Sequence, residues 1–299
     1  HPSGEVNFQS MLKGNPNCRY VYGVDPASEV DNFSIVVLEV HEDHSRTVHC
    51  WTTNRSRHKE QVKAGLASET DFYSHCARKI RDLMKVFPCS EIALDAQGGG
   101  IAIMEALHDK DKIQTGELPL WPTIDEKKEK DTDGNPGLHI LEMIQFAKAD
   151  WLAEANHGLR KDFEDKTVLF PYFDSATLGL AMSDDKLKNR MYDTLEDCVM
   201  ELEELKDELS MIIITQTTTG RDKWDTPDVK LPGGRKNRLR KDRYSSLIMA
   251  NMSARKILRT PPPHVYDTIG GFAGGARGKI DGPEYVGPAW FTEGMRDVY

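Results

Sequence analysis

Three aspartates stand where chemistry would be expected. Asp25 closes the β-rich run Tyr20–Val24 in Gly23-Val24-Asp25-Pro26. Asp95 closes a second short apolar run in Ala93-Leu94-Asp95-Ala96. Asp242 opens a long helical stretch in Arg240-Lys241-Asp242-Arg243-Tyr244. Adjacent strands can bring Asp25 and Asp95 side by side, and a helix crossing the sheet can deliver Asp242 to the same spot. Carboxylates so placed repel, and at least one pKa must rise. Divalent cations remove the conflict. Mg²⁺ or Mn²⁺ prefers such oxygen donors and keeps several waters. A pair of ions about 4 Å apart can activate a water and stabilise a leaving 3′ oxygen in attack on a phosphodiester. The competing reading makes each aspartate a turn former or a helix cap, which suits Asp242 best because a carboxylate near a helix start is favourable by itself. Asp31, six residues after Asp25, reads either as a ligand to a metal-bound water or second ion, or as a solvated turn residue.

The elements that would position these groups follow from hydrophobic pattern. Tyr20–Val24, Phe33–Val40 and Arg46–Trp51 read as strands with short connections, an antiparallel meander. Thr70–Val86 has helical spacing, with Phe72, Cys76, Ile80, Leu83 and Met84 on one stripe, and Pro88 ends it. Glu91–Leu94 reads as a strand, followed by Gly98-Gly99-Gly100 and a helix over about Ile101–Leu107. The glycines lack a G-x-G-x-x-G pattern; they suit either close backbone approach to metals or to a phosphate at a helix N-terminus, or a simple tight turn. The order implies an α/β fold with a mixed sheet. Beyond it, Asp125–Gly137 reads as a charged loop and Ile140–Phe163 as helical. Val168–Phe173 is an apolar run broken by Pro171. Met191–Leu209 reads as an acidic amphipathic helix, Met211–Thr215 as a buried strand, Thr217–Gly234 as a loop or hairpin, and Ser245–Leu258 as a helix. Residues 260–299, rich in Pro and Gly, read as a tail or appendage.

Composition limits the function classes. Of the 299 residues, 38% are hydrophobic and 29% charged, as expected of a globular protein rather than a disordered one. No apolar run approaches the roughly 20 residues needed to span a bilayer. The polar start, His1–Ser10, shows no signal-peptide pattern and reads as a tag remnant, to be set apart from the fold. The five cysteines are widely spaced without C-x-x-C, against a zinc or disulfide framework. His41, His44 and His49 lack metal-ligand spacing, and no G-x-S-x-G supports a serine nucleophile.

The net charge of −9 argues against a nucleic-acid binder when taken alone. Its distribution matters more. Arg235–Arg243 (RKNRLRKDR) holds six cations in nine residues: Arg235, Lys236, Arg238, Arg240, Lys241 and Arg243. They flank Asp242. The functional reading is contact with a DNA phosphate backbone, which positions without reading sequence; the alternative is a solvated charge run. Nearby, Thr215–Gly220 offers hydroxyls to DNA or merely shapes a hairpin, and Trp224 reads as a packing residue before a stacking one.

At Val21-Tyr22-Gly23-Val24-Asp25-Pro26-Ala27, Ile92-Ala93-Leu94-Asp95 with its glycines, and Lys241-Asp242-Arg243-Tyr244-Ser245-Ser246-Leu247 followed by Met249-Ala250-Asn251, the sequence resembles the large-terminase nuclease family of tailed bacteriophages. The last motif is the most specific, and together they span residues 20 to 255. The resemblance implies an RNase H-like mixed central sheet flanked by helices over 11–259, with a C-terminal extension. It implies an endodeoxyribonuclease that cuts concatemeric viral DNA during packaging. The metal ligands then fall on Asp25, Asp95 and Asp242, with Asp31 at a further acidic position, for two Mg²⁺ or Mn²⁺ ions. The implied partners are double-stranded DNA and, in a full-length protein, an ATPase motor, portal and small terminase, in the host cytoplasm. The G-x-x-x-x-G-K-[ST] phosphate loop is absent, so the chain reads as a nuclease domain apart from its motor, and as a monomer. A junction resolvase or integrase-type enzyme would use the same carboxylates. A catalytically silent DNA- or portal-binding module would not need them.

Overall fold

The computed structural model describes residues 4–26, 31–124, 136–146, 148–172, 194–218, 220–230 and 236–259, without the side chains of 228–230 and 236–238. By internal contacts the chain divides into His1–Leu258 and Arg259–Tyr299. The second unit, apart from Arg259, lies outside the described residues, and with it the expected Pro/Gly-rich tail.

Strands β1 (Arg19–Asp25), β2 (Phe33–Val40) and β3 (Ser45–Thr53) form the expected antiparallel meander. Helices α1 (Arg55–Lys63) and α2 (Phe72–Val86) lead to β4 (Cys89–Asp95), which returns to pair with β1 in parallel. After α3 (Gly100–His108) come β5 (Leu120–Pro122) and β6 (Leu138–Ile144), and β6 pairs with β4 in parallel. Helix α4 (Ala149–Glu164) precedes β7 (Val168–Leu169) at the far edge. The sheet order is β5-β6-β4-β1-β2-β3-β7. This seven-stranded mixed sheet flanked by helices is the α/β arrangement the element order predicts.

Strands β1 and β2 are apolar almost throughout, because helices cover both faces of the sheet. On one face Tyr20, Tyr22, Val24, Ile35 and Val37 pack with α2 and α3. On the other, Val21, Val36, Leu38 and Cys50 pack with α4, with α5 (Leu195–Met211) and with α6 (Asp242–Arg259). Helix α6 is buried at every position from Tyr244 to Ala254 except Ser245. It crosses β1 at backbone contact. A Cβ on Gly23 would lie 1.8 Å from the Ser246 carbonyl oxygen and 2.7 Å from the Ala250 nitrogen.

Several expectations are corrected. Ile140–Phe163 is a strand and then a helix, because the apolar spacing of Leu138–Ile144 fits either period and no Gly or Pro marks the break. The run after Met211 is exposed, not buried: β8 (Ile213–Gln216) pairs with β9 (Asp222–Asp225) in a separate two-stranded sheet. A second small pair joins β10 (Asp228–Lys230) to β11 (Lys236–Arg238). The first residues do not all stand apart from the fold. Phe8 is buried in the main core, and its carbonyl accepts from the Tyr172 N–H at 2.8 Å. Helix α1 and strand β5 have too few apolar residues to show a period. Among the described residues no helix is long and apolar enough to cross a membrane.

The α6–β1 contact generates a test. Gly23→Ala should lower stability by about 1–3 kcal/mol, because neither backbone can yield without moving a packed layer. Equal urea midpoints for Gly23→Ala and parent would dismiss the contact.

Candidate active site

Strand β1 ends because Pro26 cannot donate to the ladder; the last bond of the β4–β6 ladder runs from the Ala96 N–H to the Ile144 carbonyl, at 2.8 Å, just past Asp95. Val24 is in parallel register with Leu94, so Asp25 and Asp95 are adjacent at the carboxyl ends of neighbouring strands. Neighbouring strands lie about 4.8 Å apart. Strand order reverses between these two: the chain leaves β1 toward β2 and returns to its other flank as β4. In open α/β sheets that crevice is where ligands bind.

Asp242, the first residue of α6, reaches the same end. Its Oδ2 accepts from the Asn32 N–H at 3.1 Å. Ser246, one turn on, fixes the helix to the sheet: its Oγ accepts from the Asp25 N–H at 3.1 Å and donates to the Ser34 carbonyl at 3.1 Å. The carboxyl of Asp95 accepts from its own turn, through Gln97 N–H at 3.0 Å. The structure thus gathers Asp25, Asp95 and Asp242 at one end of the sheet, and exposed Asp31 precedes Asn32 at the start of β2.

Electrostatics report the crowding. Desolvation, then the charges of Asp242 and Asp95, push the Asp25 carboxyl well above the ordinary range; Asp31 adds to this and a Ser245 hydrogen bond opposes it. Desolvation raises Asp95, against the Gln97 hydrogen bond. Asp242 is raised by desolvation, opposed by the Asn32 hydrogen bond, and further affected by Asp31, Arg240 and Arg243. Among the described residues no group of three His, Cys, Asp or Glu side chains is placed to hold a metal ion between them. The donor set is instead open and oxygen-only, with negative charge in excess. That chemistry fits Mg²⁺, which takes one or two carboxylates and fills its remaining positions with water or substrate phosphate.

The glycine run is accounted for by packing. Gly98 has φ +60°, a Cβ on Gly99 would strike the Tyr73 ring at 2.4 Å, and one on Gly100 would strike the Asp95 carbonyl at 1.8 Å. These glycines make the tight turn that holds Asp95, which is the simpler of the two readings.

The basic strip divides. Arg235 lies outside the described residues, as do the side chains of Lys236 and Arg238. Arg240 is exposed, and its Nη1 donates to the Asn32 Oδ1. Lys241 turns inward to Asp225 Oδ1 and the Trp224 carbonyl, both at 3.2 Å. Arg243 is buried and leaves the strip: its Nε donates to Glu201 Oε2 and its Nη1 to Glu208 Oε1, both at 2.7 Å. Trp224 is buried edge-on to the His157 ring, a packing residue. The Thr217 hydroxyl closes the β8–β9 hairpin on Arg221.

Sequence reasoning missed Asn32, Ser246 and Glu208. Glu208, on the acidic helix α5, accepts from the Tyr244 N–H at 2.9 Å and so caps the first turn of α6 from outside. Glu201 on the same helix also accepts from the Thr52 hydroxyl at 2.8 Å. Helix α5 therefore locks the end of α6 that carries Asp242. Its regular acidic pattern signals a solvated face, and nothing local distinguishes these two carboxylates from their neighbours.

No family profile matches the chain, and no curated protein matches it by sequence. Similar solved structures include the large terminase nuclease from thermophilic phage G20c with bound magnesium, 12% identical over 83% of this chain and 92% of that one, TM-score 0.49. The Thermus phage P74-26 large terminase nuclease domain is 12% identical over 82% and 88%, TM-score 0.42. The HK97 bacteriophage large terminase is 14% identical over 81% of this chain and 40% of that one, TM-score 0.44.

Two expectations arise from this geometry. A carboxyl whose pKa is raised on folding keeps a proton that the unfolded chain, near 3.8, has already lost. Metal-free stability should therefore fall as pH rises from 3.8 through the raised folded values. Asp25→Asn should melt above the parent at neutral pH without metal, with the gap closing toward pH 4 in thermal scans. A variant that melts below its parent at both pH values would refute the repulsion. Glu208→Ala should cost about 3 kcal/mol, since it strips one partner from a buried guanidinium and uncaps α6; chemical denaturation reads this, and a loss below half that size would demote the Glu208 tie.

Proposed function

We propose that this chain is a divalent-metal-dependent DNA endonuclease acting by two-metal-ion phosphodiester hydrolysis. The observation that carries the reading is the placement of Asp25 beside Asp95 in parallel register, with Asp242 brought to them by α6 and all three carboxyls raised. Nothing in the packing requires this excess of negative charge, and neutralisation by cations gives it a purpose.

In this reading Asp25, Asp95 and Asp242 hold two Mg²⁺ or Mn²⁺ ions, with Asp31 at the rim. The bound ions would supply an activated water and neutralise charge at the leaving 3′ oxygen. Each side chain has its own part. Asp25, whose carboxyl feels the charges of both Asp242 and Asp95, would be a ligand shared with each of them. Asp95 is held in its tight turn by the Gln97 N–H, so its orientation is set before substrate arrives. Asp242 is aimed by Asn32 N–H and by the anchored first turn of α6. Arg240, beside Asn32, holds a backbone phosphate against the site, with Arg235, Lys236 and Arg238 extending the contact. Lys241 and Arg243 serve the fold instead. Because cations that touch phosphate carry no base readout, cutting should show little sequence preference.

The biological setting follows from the motif resemblance. The enzyme cuts concatemeric viral genome DNA at the start and end of capsid filling. It works with an ATPase motor, portal and small terminase in the host cytoplasm, and the isolated domain is a monomer.

Plasmid cleavage tests the chemistry. Supercoiled DNA should be cut with Mg²⁺ or Mn²⁺ and remain intact with EDTA. Asp25→Asn and Asp242→Asn should each lose about 100-fold or more in rate. Cutting that survives in both variants would remove these residues from the mechanism, and duplex binding without cutting under any metal would favour a binding module.

A further inference from the structure

Helix α1 was invisible to hydrophobic periodicity, and its composition is unusual for this chain. Its nine residues, RSRHKEQVK, hold four cations, Arg55, Arg57, Lys59 and Lys63, against one carboxylate, Glu60. The whole chain carries −9. The helix is buried at His58 only, whose ring packs on His75 and Phe72 of α2. Arg57, Lys59 and Lys63 are exposed. Arg55, Lys59 and Lys63 recur every fourth residue, which aligns them on one face about 6 Å apart. Arg55 is held in place across the rings of Phe72 and Tyr73, 4.9 and 5.0 Å from their centroids.

The placement of this stripe is set by one residue. Asn54 caps α1, accepting from the Arg57 N–H at 2.9 Å. The same Asn54 donates from Nδ2 to Asn32 Oδ1 at 3.1 Å. Asn32 Oδ1 also accepts from Arg240, and the Asn32 N–H holds the Asp242 carboxylate. The start of α1, the exposed Arg240 and a ligand of the acidic site thus share Asn32. Because β3 is antiparallel to β2, its end, from which α1 springs, lies at the same edge of the sheet as Asp25 and Asp95.

We infer that α1 is a second DNA-backbone contact surface, and that the duplex lies across the acidic site with one flank on Arg240 and the other on the Lys59 and Lys63 face of α1. The inference rests on the nuclease reading for its choice of duplex DNA over another polyanion. Charge complementarity and continuity with the acidic site favour that occupant. An acidic centre repels phosphate, so cations on both sides of it are what keep a strand in place. Lysines on an exposed helix face contact phosphate as point charges, without base readout.

The test is fluorescence anisotropy with a short labelled duplex in EDTA, in the Asp25→Asn background, so that cutting cannot intervene. The Lys59→Glu, Lys63→Glu double variant should bind about tenfold or more weakly and lower the slope of log affinity against log salt by about two. Lys59→Ala alone should lower it by about one. Lys161→Glu, on α4 across the sheet, should bind as the background protein does. Unchanged affinity and slope in the α1 variants overturns the proposal, as does an equal loss in Lys161→Glu or a background protein that does not bind duplex. Metal-dependent cutting, assayed separately on the parent, keeps the two ideas apart. A parent that cuts while the α1 variants bind normally sinks α1 alone; a parent that never cuts but binds through α1 sinks the nuclease reading and leaves α1 a DNA-binding face.

Discussion

At Gly23 helix α6 meets β1 with no side chain between the two backbones, and the site depends on that contact. At Gly23 the helix backbone occupies the space a Cβ would fill, next to Ser246 and Ala250. Such an approach lets the Ser246 hydroxyl touch Asp25, Ser34 and its own preceding turn at once. Move the helix outward by the width of a methyl group, and Asp242 no longer meets the carboxyl ends of the strands. Small residues along the buried face of α6 (Ser246, Ala250, Ser253 and Ala254) are what a helix needs to sit this deep. The Ser253 hydroxyl donates to Glu91 at 2.7 Å, extending the same close contact along β4.

Holding the helix there leaves carboxylates closer than they would choose to be. The cost appears most directly at Asp25, whose carboxyl is pushed up by burial and then by the charges of Asp242 and Asp95, while burial raises Asp95 and Asp242. It is offset elsewhere, by core packing on both sheet faces and by the buried ties from α5. Glu208 and Glu201 engage Arg243 and the first turn of α6, so the end of the helix that bears Asp242 is fixed by a neighbour rather than by its own cap. This arrangement is preorganisation: the acidic groups are assembled before any ligand arrives, and the fold carries the repulsion. It also explains why a strongly acidic helix lies against a segment rich in cations. Part of the basic strip exists to meet it.

The balance of charge is therefore local rather than global. A sequence total of −9 conceals an acidic centre, cations spent inside the fold such as Arg243 and Lys241, and cations left outside such as Arg240 and those of α1. Arg78 illustrates the second class away from the site, buried and paired with Glu117. Counting Lys and Arg in a window cannot separate these uses, because the partner carboxylates are tens of residues distant.

The sequence alone determined the central strands, the helices α2 and α6, and the three aspartates at element ends. Each is encoded locally: a β-branched run stopped by Pro26, a stripe of apolar residues at helical spacing, an aspartate at the boundary. It did not determine β6, whose apolar spacing over Leu138–Ile144 serves either period, nor α1, whose one buried residue is too few for any period. Nor did it determine that the Ile213 run is exposed, since burial depends on what lies opposite. The roles of Asn32, Ser246 and Glu208 were decided only in the tertiary structure. Their partners lie across the chain, and a hydrogen bond between residues 210 positions apart, as from Asn32 to Asp242, leaves no trace in the spacing of either.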